Sequence, residues 1–491
     1  MPLYAELDMP SLTPLAAFEA VGSRRPAALL ESARVNEKTG RYSFVTADPY
    51  LIFRSKGDEV SLSVPSAPAG RYGNRLSIKK KPLRKLRELM SNYRTEKVAG
   101  LPPFTGGAIG FFSYDFVHQF EHLPRTAKDD LGMPEAYFFF VDMVIAFDHV
   151  LNKVWVIVNP GAREQEMGFR RPEPDQWGRL YDEAVGKLSA LGSKLRGGAG
   201  KGTTESPGKS AQSFKLEPCL TQAEFESMVG RCKEYITAGD IYQANLSQRL
   251  SAKIGGADPF RLYTILRDIN PSPFAAFLDF GDMQLVSSSP ERLIRLRDGI
   301  ADTRPIAGTR RRGDDDAETR ELSVELLTNE KERAEHIMLL DLERNDLGRV
   351  CTYGSVRVDE MMAIEDYSHV IHIVSNVRGE LADGKDCFDL IRAAFPGGTI
   401  TGVPKVRCME IIDELEPIAR GPYTGSIGYI SNAGDMDLNI IIRTFVIQDG
   451  SAHIQVGAGI VADSDPEREY QETLQKAEAM KKALERLRSF R

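Results

Sequence analysis

Ala136-Tyr-Phe-Phe-Phe-Val141, Met143-Val-Ile-Ala-Phe147 and Val154-Trp-Val-Ile-Val158 are three successive runs of aromatic and β-branched residues. Such side chains fit a pleated surface, and the short turns between the runs predict neighbouring antiparallel strands. Arg41-Tyr-Ser-Phe-Val45 and Leu51-Ile-Phe53 upstream read the same way. Helical patterns fall at 82–93 and 176–191. Residues 192–213 are rich in Gly, Ser and Lys and nearly free of large apolar residues, the composition of a flexible linker. Within them, Gly208-Lys209-Ser210 lacks the glycine a phosphate-binding loop requires five positions earlier, where Thr203 stands.

Beyond 213, helical patterns at 221–239, 259–268, 316–341, 386–394, 406–415 and 466–488 alternate with strand patterns. The strands fall at 245–250, 274–280, 284–288, 292–297, 424–430, 438–448 and 452–462. Helices and strands come in clusters rather than as regular βαβ units, which predicts an α+β fold with antiparallel sheets. The expected organisation is an N-terminal β-rich part (1–191), the linker, and a C-terminal part (214–491).

The chain of 491 residues is 42% apolar and 27% charged, with a formal net charge of −7. No long basic run exists, which argues against a nucleic-acid partner. Five widely spaced cysteines include no Cys-x-x-Cys pair, so neither a disulfide framework nor a thiolate zinc site is expected. The start, Met1-Pro-Leu-Tyr-Ala-Glu6, lacks the basic and apolar regions of a signal peptide, and no apolar run approaches a membrane span of ~18 residues. A cytoplasmic protein is expected.

Several segments could carry chemistry. Phe395-Pro-Gly-Gly-Thr-Ile-Thr-Gly-Val-Pro-Lys405 is either a glycine-rich turn or a loop whose amides approach an anion. Glu332 and Glu335 share one helix face, and Glu469 and Glu472 share another. Each pair reads as a solvated face or, if both border one cleft, as oxygen ligands for a hard cation such as Mg²⁺. Arg443 lies in the apolar run Leu438-Asn-Ile-Ile-Ile-Arg443-Thr-Phe-Val and needs an anionic partner, internal or from a substrate carboxylate. Gly457-Ala-Gly459 interrupts a strand, by a bulge or by close approach to a ligand. His369 and His372 read as hydrogen-bonded core groups or as proton carriers. Glu291, after Ser287-Ser-Ser-Pro290, starts a turn or protonates a leaving group.

Taken together these segments resemble the chorismate-utilising enzymes, specifically the component I subunits of anthranilate synthase and aminodeoxychorismate synthase. The resemblance covers nearly the whole chain. It is carried by Gly239-Asp-Ile-Tyr-Gln243-Ala-Asn-Leu, Ser287-Ser-Ser-Pro-Glu291, Arg304-Pro-Ile-Ala307-Gly308-Thr309-Arg, Glu335-His-Ile-Met-Leu-Leu-Asp-Leu, Phe395-Pro-Gly-Gly-Thr and Gly457-Ala-Gly459-Ile-Val. Leu29-Leu-Glu-Ser32 and Asn270-Pro-Ser-Pro273-Phe274 resemble the family's tryptophan-binding segments.

The resemblance implies a large antiparallel β-sandwich core flanked by helices, with chorismate and Mg²⁺ in a cleft of the C-terminal half. It implies Glu335 and Glu472 as metal ligands, with Glu332 and Glu469 as weaker candidates. Gly308, Thr309, Tyr423, Arg443, Gly457, Ala458, Gly459 and Lys476 would hold chorismate, and Glu291 would protonate the departing C4 hydroxyl with help from His372. Ser32, Pro273 and Phe274 would line a tryptophan-like pocket. Related isochorismate and salicylate synthases activate water with a Lys where this chain has Gln243, which favours ammonia as nucleophile. No Gly-x-Cys-x-Gly segment is present, so a separate glutamine amidotransferase subunit is the expected ammonia source.

Two products are open. Ala307 stands where many aminodeoxychorismate synthases carry a Lys proposed as a covalent nucleophile, and an Ala cannot form that adduct. Anthranilate synthases carry Ala there. The segments 239–246, 287–292, 395–403, 425–429 and 469–477 nevertheless resemble the aminodeoxychorismate branch more closely, and the expected product is 4-amino-4-deoxychorismate, for folate synthesis. Anthranilate, for tryptophan synthesis, is the alternative. A catalytically silent tryptophan-binding relative is a reading from another class; Glu291, Glu335, His372 and Glu472 speak against it.

Overall fold

The computed structural model describes every residue except 23–25, 36–37, 67–70, 164–172, 199–213, 367–369 and 489–491. Among the described residues there are two twelve-stranded sheets, paired antiparallel throughout.

The first sheet runs in the order Leu3–Leu7, Lys153–Val158, Met143–Asp148, Tyr42–Ala47, Ala27–Glu31, Phe274–Asp279, Met283–Ser289, Thr444–Gln448, Ser451–Ile460, Gln243–Lys253 and Glu217–Pro218, with Gly402–Val403 also on Gln243–Lys253. The second runs Ile306–Arg311, Val370–Glu380, Ile300–Arg304, Arg292–Arg297, Met436–Asn439, Ser426–Ser431, Gly107–Phe112, Ala136–Val141, Leu51–Lys56, Glu59–Ser66 and Arg71–Lys79, with Arg357–Asp366 also on Val370–Glu380. Each sheet therefore takes strands from both sides of 192–213.

The strand Ala136–Val141 shows why its sequence is apolar without interruption. Tyr137, Phe139 and Val141 point into the layer between the sheets, where they meet Phe111, Ile145's neighbour Val144, Leu278 and Ile427. Ala136, Phe138 and Phe140 point the other way, into a layer closed by the helices Pro82–Asn92 and Cys387–Ala394. A strand covered on both faces has no solvated positions to alternate. The first sheet does likewise: Leu29, Val45, Phe277 and Val286 face the helices Pro14–Val21, Pro259–Ile269 and Glu478–Arg488. The result is helices, sheet, sheet, helices. Each buried Phe contributes about 1.5–3 kcal/mol.

The chain crosses between the sheets at four short joints. Ala47 to Leu51 and Val141 to Met143 are two; Ser289 to Arg292 and Asn439 to Thr444 are the others. The last two hold the site.

Four expectations change. The strand expected at 438–448 is broken at 440–443, where Arg443 takes φ 51° and the chain changes sheets. The run still reads as strand because Ile440 and Ile441 are both buried, one in each neighbouring apolar layer. The helix expected at 316–341 is two, Asp316–Thr328 and Glu330–Gly348, because the Asn329 side chain caps the second through the Glu332 amide (3.0 Å). That at 466–488 breaks at Ala477. The expected linker begins too early: helix Trp177–Gly198 runs to 198, since Leu191 and Leu195 fill the core beside the first sheet. Gly208-Lys209-Ser210 lies outside the described residues. No helix among the described residues is long and apolar enough to cross a membrane.

Candidate active site

Glu291 occupies the joint between Met283–Ser289 and Arg292–Arg297, and Arg443 the joint between Met436–Asn439 and Thr444–Gln448. The joints are tied by Ile440 N–H to Glu291 O (3.0 Å), Ser288 N–H to Arg443 O (3.1 Å) and Ser289 Oγ to Ile440 O (2.6 Å). Glu291 is buried, and Thr399 Oγ1 donates to its Oε1 (2.9 Å). Burial pushes the Glu291 carboxyl up to about 8, and the Glu343 carboxylate adds to the rise. Thr399, the Ile306 amide and Arg443 oppose it. At neutral pH Glu291 is therefore a neutral acid with a proton to give.

His372 stands on the strand Val370–Glu380, opposite Thr309. Its Nδ1 lies 3.3 Å from the Gly308 carbonyl, which can only accept, so Nδ1 carries the hydrogen and Nε2 is the basic nitrogen. Burial, then Arg443, lowers its pKa to about 4 and keeps the ring neutral. His369 lies outside the described residues.

Gly308 has φ 68°, and a Cβ there would sit 2.9 Å from Glu332 Oε2. Glu332 also takes Arg310 Nη1 (3.0 Å). Glu335, one turn on, is held above the ordinary carboxylate range by burial, then by Glu332, with Glu469 and Glu472 adding. Glu469 is raised likewise, by burial and then Glu472, against a hydrogen bond from Ser464. The two acidic pairs thus face each other across one gap. No three acidic or other ligating side chains are gathered to metal-binding distance among the described residues.

Lys476 joins that gap to the glycine segment, donating to Gly457 O (2.9 Å) and pairing with Glu472 (2.8 Å). No bulge occurs at 457–459: Gly457, Ala458 and Gly459 pair in unbroken register with Ser247, Leu246 and Asn245. A Cβ at Gly457 would meet Leu246 O at 2.7 Å and Tyr423 OH at 2.8 Å, so protein groups already crowd the first glycine. At Gly459 a Cβ would meet the Gln243 amide at 2.6 Å. The Ala458 methyl packs away from the gap, among Leu246, Ile460 and Tyr470, so only its backbone can face a ligand. Tyr423 is buried, and burial pushes its phenol up to about 12.

Expected residues of the C-terminal half are therefore linked neighbour to neighbour, from Glu291 through Arg443, His372, Gly308 and the acidic pairs to Lys476, Gly457 and Tyr423. Ser32, Pro273 and Phe274 lie apart from them. They line a cavity of about 80 Å³ between the sheets, with Tyr42, Tyr429 and Arg292. Ser32 Oγ donates there to Tyr42 O (2.7 Å), and the Arg292 guanidinium sits 5.1 Å above the Phe274 ring.

The Phe395–Lys405 loop works by packing. Gly397 lies under Ile440 and Leu293, and Thr399 holds Glu291. Sequence reasoning passed over Glu343, Asp346, Glu416 and Arg420. Glu416 and Arg420 pair at i,i+4, a spacing equally common on exposed surfaces, and the burial of all four depends on contacts distant in sequence.

A model of the chorismate binding enzyme family matches residues 29–482. The chain is 40% identical over 488 residues to anthranilate synthase component 1 of Acetivibrio thermocellus, covering 99% of this chain and 94% of the relative. It is 44% identical over 470 residues to aminodeoxychorismate synthase component 1 of Bacillus subtilis, covering 94% and 92%. Anthranilate synthase component I from Streptococcus pneumoniae superposes with a TM-score of 0.76 at 33% identity, covering 96% of this chain and 98% of that one. A fold spanning the whole chain, a family match over nearly all of it and relatives at this identity agree: the chain belongs to the chorismate-binding enzymes.

Proposed function

We propose that this chorismate-utilising enzyme aminates chorismate, with ammonia from a glutamine amidotransferase partner, to 4-amino-4-deoxychorismate. The observation that carries the reading is the buried Glu291 carboxyl, held by Thr399 at the joint next to Arg443. Hydroxide is a poor leaving group, so the C4 hydroxyl of chorismate departs as water only with a proton donor in place. Glu291 supplies that proton, Arg443 binds a substrate carboxylate, and neutral His372 takes up a proton at Nε2 from the incoming ammonia. Tyr423 donates from its phenol, and Lys476 adds positive charge at the Gly457 end.

Mg²⁺ fits the remaining side of the gap. Glu335 and Glu472 would hold it, with Glu332 and Glu469 beside them; Mg²⁺ commonly takes one or two protein carboxylates and keeps water or substrate oxygens for the rest. When bound it would offset the charge of a substrate carboxylate. Burial, then repulsion among the neighbouring carboxylates, raises Glu335 and Glu469, and a bound cation would relieve that repulsion.

The second reading, anthranilate synthase, is favoured by Ala307. It lies on the strand Ile306–Arg311 opposite Ile373 and bears no nucleophile for a covalent route. The names of the relatives, all component 1 proteins, support a separate partner in either case. Incubating the chain with chorismate, ammonium and Mg²⁺ tests the choice. An aminated product that keeps its enolpyruvyl group supports the first reading; anthranilate with pyruvate replaces it with the second.

A further inference from the structure

We propose that Glu343 is a positioning residue, which through the Gly397-Gly398-Thr399 loop fixes the carboxyl of Glu291. The inference rests on the general-acid reading of Glu291. Glu343 lies on the helix Glu330–Gly348, two turns beyond Glu335, and is 5% exposed. A Cβ at Gly398 would strike Leu342 at 2.3 Å and stand 3.6 Å from Glu343 Oε1. Only a glycine lets the loop lie this close to the helix, and in that position the Gly398 amide donates to Glu343. The next residue, Thr399, donates to Glu291. Helix, loop and acid are thus joined by two hydrogen bonds through adjacent residues.

Burial, then Asp346, favours the protonated form of Glu343, and Lys405 opposes it. The Thr303 hydroxyl, in hydrogen-bonding contact with Glu343, gives its hydrogen to Leu293 O (2.8 Å). Its oxygen is left to accept, and protonated Glu343 can donate to it. The nearby cation, Lys405, is engaged by Asp346 (2.5 Å) and Ala394 O (3.2 Å). With Glu343 neutral, the buried trio Glu343, Asp346 and Lys405 carries no net charge, as a low-dielectric site requires. Burial, then Asp346, pushes Glu343 up to about 7. The charged groups to weigh are Asp346, Lys405 and Glu291 around Glu343, Arg349 beside Asp346, and Arg443 beside Glu291. An ionised Glu343 would oppose the Glu291 carboxylate that forms when the proton is given; a neutral one does not.

The test is chorismate consumption with ammonium and Mg²⁺, followed across pH. Glu343→Ala removes the support of the loop and is expected to lower kcat roughly tenfold or more with little change in chorismate KM. Glu343→Gln keeps the shape, accepts from Gly398 and donates to Thr303, so it is expected to recover most of that kcat. Because Gln cannot add negative charge as pH rises, the alkaline limb set by Glu291 is expected to move to lower pH, by about half a unit or more. Identical kcat and pH limbs in the two variants, or an unmoved limb in Glu343→Gln, would overturn the role. Glu291→Gln run in parallel separates the two ideas: if it is inactive while the Glu343 variants match wild type, Glu343 alone loses its role. If it is active, the general-acid reading fails first.

Discussion

Glu291 and Arg443 sit on two neighbouring crossings between the sheets, each crossing giving a backbone hydrogen bond to the other: Ile440 N–H to Glu291 O and Ser288 N–H to Arg443 O. A residue at a crossing belongs to neither pleated surface, so its side chain can point along the gap at the sheet edge. The fold thereby sets the backbones of an acid and a cation side by side, and Thr399 then holds the acid's carboxyl.

Glu291 gives the first prediction. Protonated in the fold and holding its proton up to about 8, it binds that proton more tightly folded than unfolded. Stability contributed this way is lost as pH rises from the ordinary carboxylate range toward 8. Glu291→Gln, which cannot ionise, is expected to lose turnover by 10²-fold or more, at roughly the scale of a removed general acid. Its Tm should exceed wild type at pH 8 by about a few degrees and match it near pH 5. Calorimetry at the two pH values checks this; equal Tm differences at both would mean that the carboxyl is not held neutral.

Arg443 gives the second. Its φ of 51° is one that Gln tolerates about as well as Arg, so Arg443→Gln tests the charge rather than the turn. The group is half-buried, and the loss should stand at the low end for a charged pair, about 2 kcal/mol, or roughly a thirtyfold higher chorismate KM. A kcat effect with KM unchanged would remove it from carboxylate binding.

These residues also mark how far the sequence is legible. The strands of the first quoted stretch fall within a residue of their expected ends, because continuous apolar runs bounded by turns specify doubly covered strands. Arg443 was readable as a residue needing an anion but not as a turn, since Ile440 and Ile441 supply the same apolar run whether they bury into one layer or two. Glu335 and Glu472 were readable as helix-face pairs. That the faces meet depends on two helices 137 positions apart, which periodicity does not encode. The strands 59–66, 71–79, 107–112 and 357–366 escaped because polar residues or glycines interrupt their apolar pattern.

The acidic pairs give a third prediction. If Glu335 and Glu472 hold Mg²⁺ as proposed, the ion binds the folded state and should raise its Tm as concentration rises above Kd. Glu335→Gln and Glu472→Gln are each expected to abolish that shift and chorismate turnover together, and chelation of wild type should mimic them. A Tm response to Mg²⁺ that persists in both variants would place the ion elsewhere.

The last prediction concerns stability beneath the site. Arg420 and Glu416 form a buried bidentate pair, Nε to Oε2 at 2.9 Å and Nη2 to Oε1 at 2.6 Å. Arg420 also donates to Ile400 O, Asn245 O and Thr424 Oγ1, while Glu416 takes the amide and hydroxyl of Ser247. The pair so ties the glycine-rich loop, the strand Gln243–Lys253 and the turn before Ser426–Ser431 at one point. Removing one partner strands the other charge without solvent, at a cost of about 3–5 kcal/mol. Arg420→Met and Glu416→Gln should each lower the unfolding free energy measured in urea by that amount, and the double substitution should cost less than the sum of the two. Strict additivity in the cycle would show that the two side chains do not act as a pair. Because Tyr423 lies three residues on, with the Arg420 guanidinium 5.6 Å from its ring, the single variants should also raise chorismate KM in what remains folded.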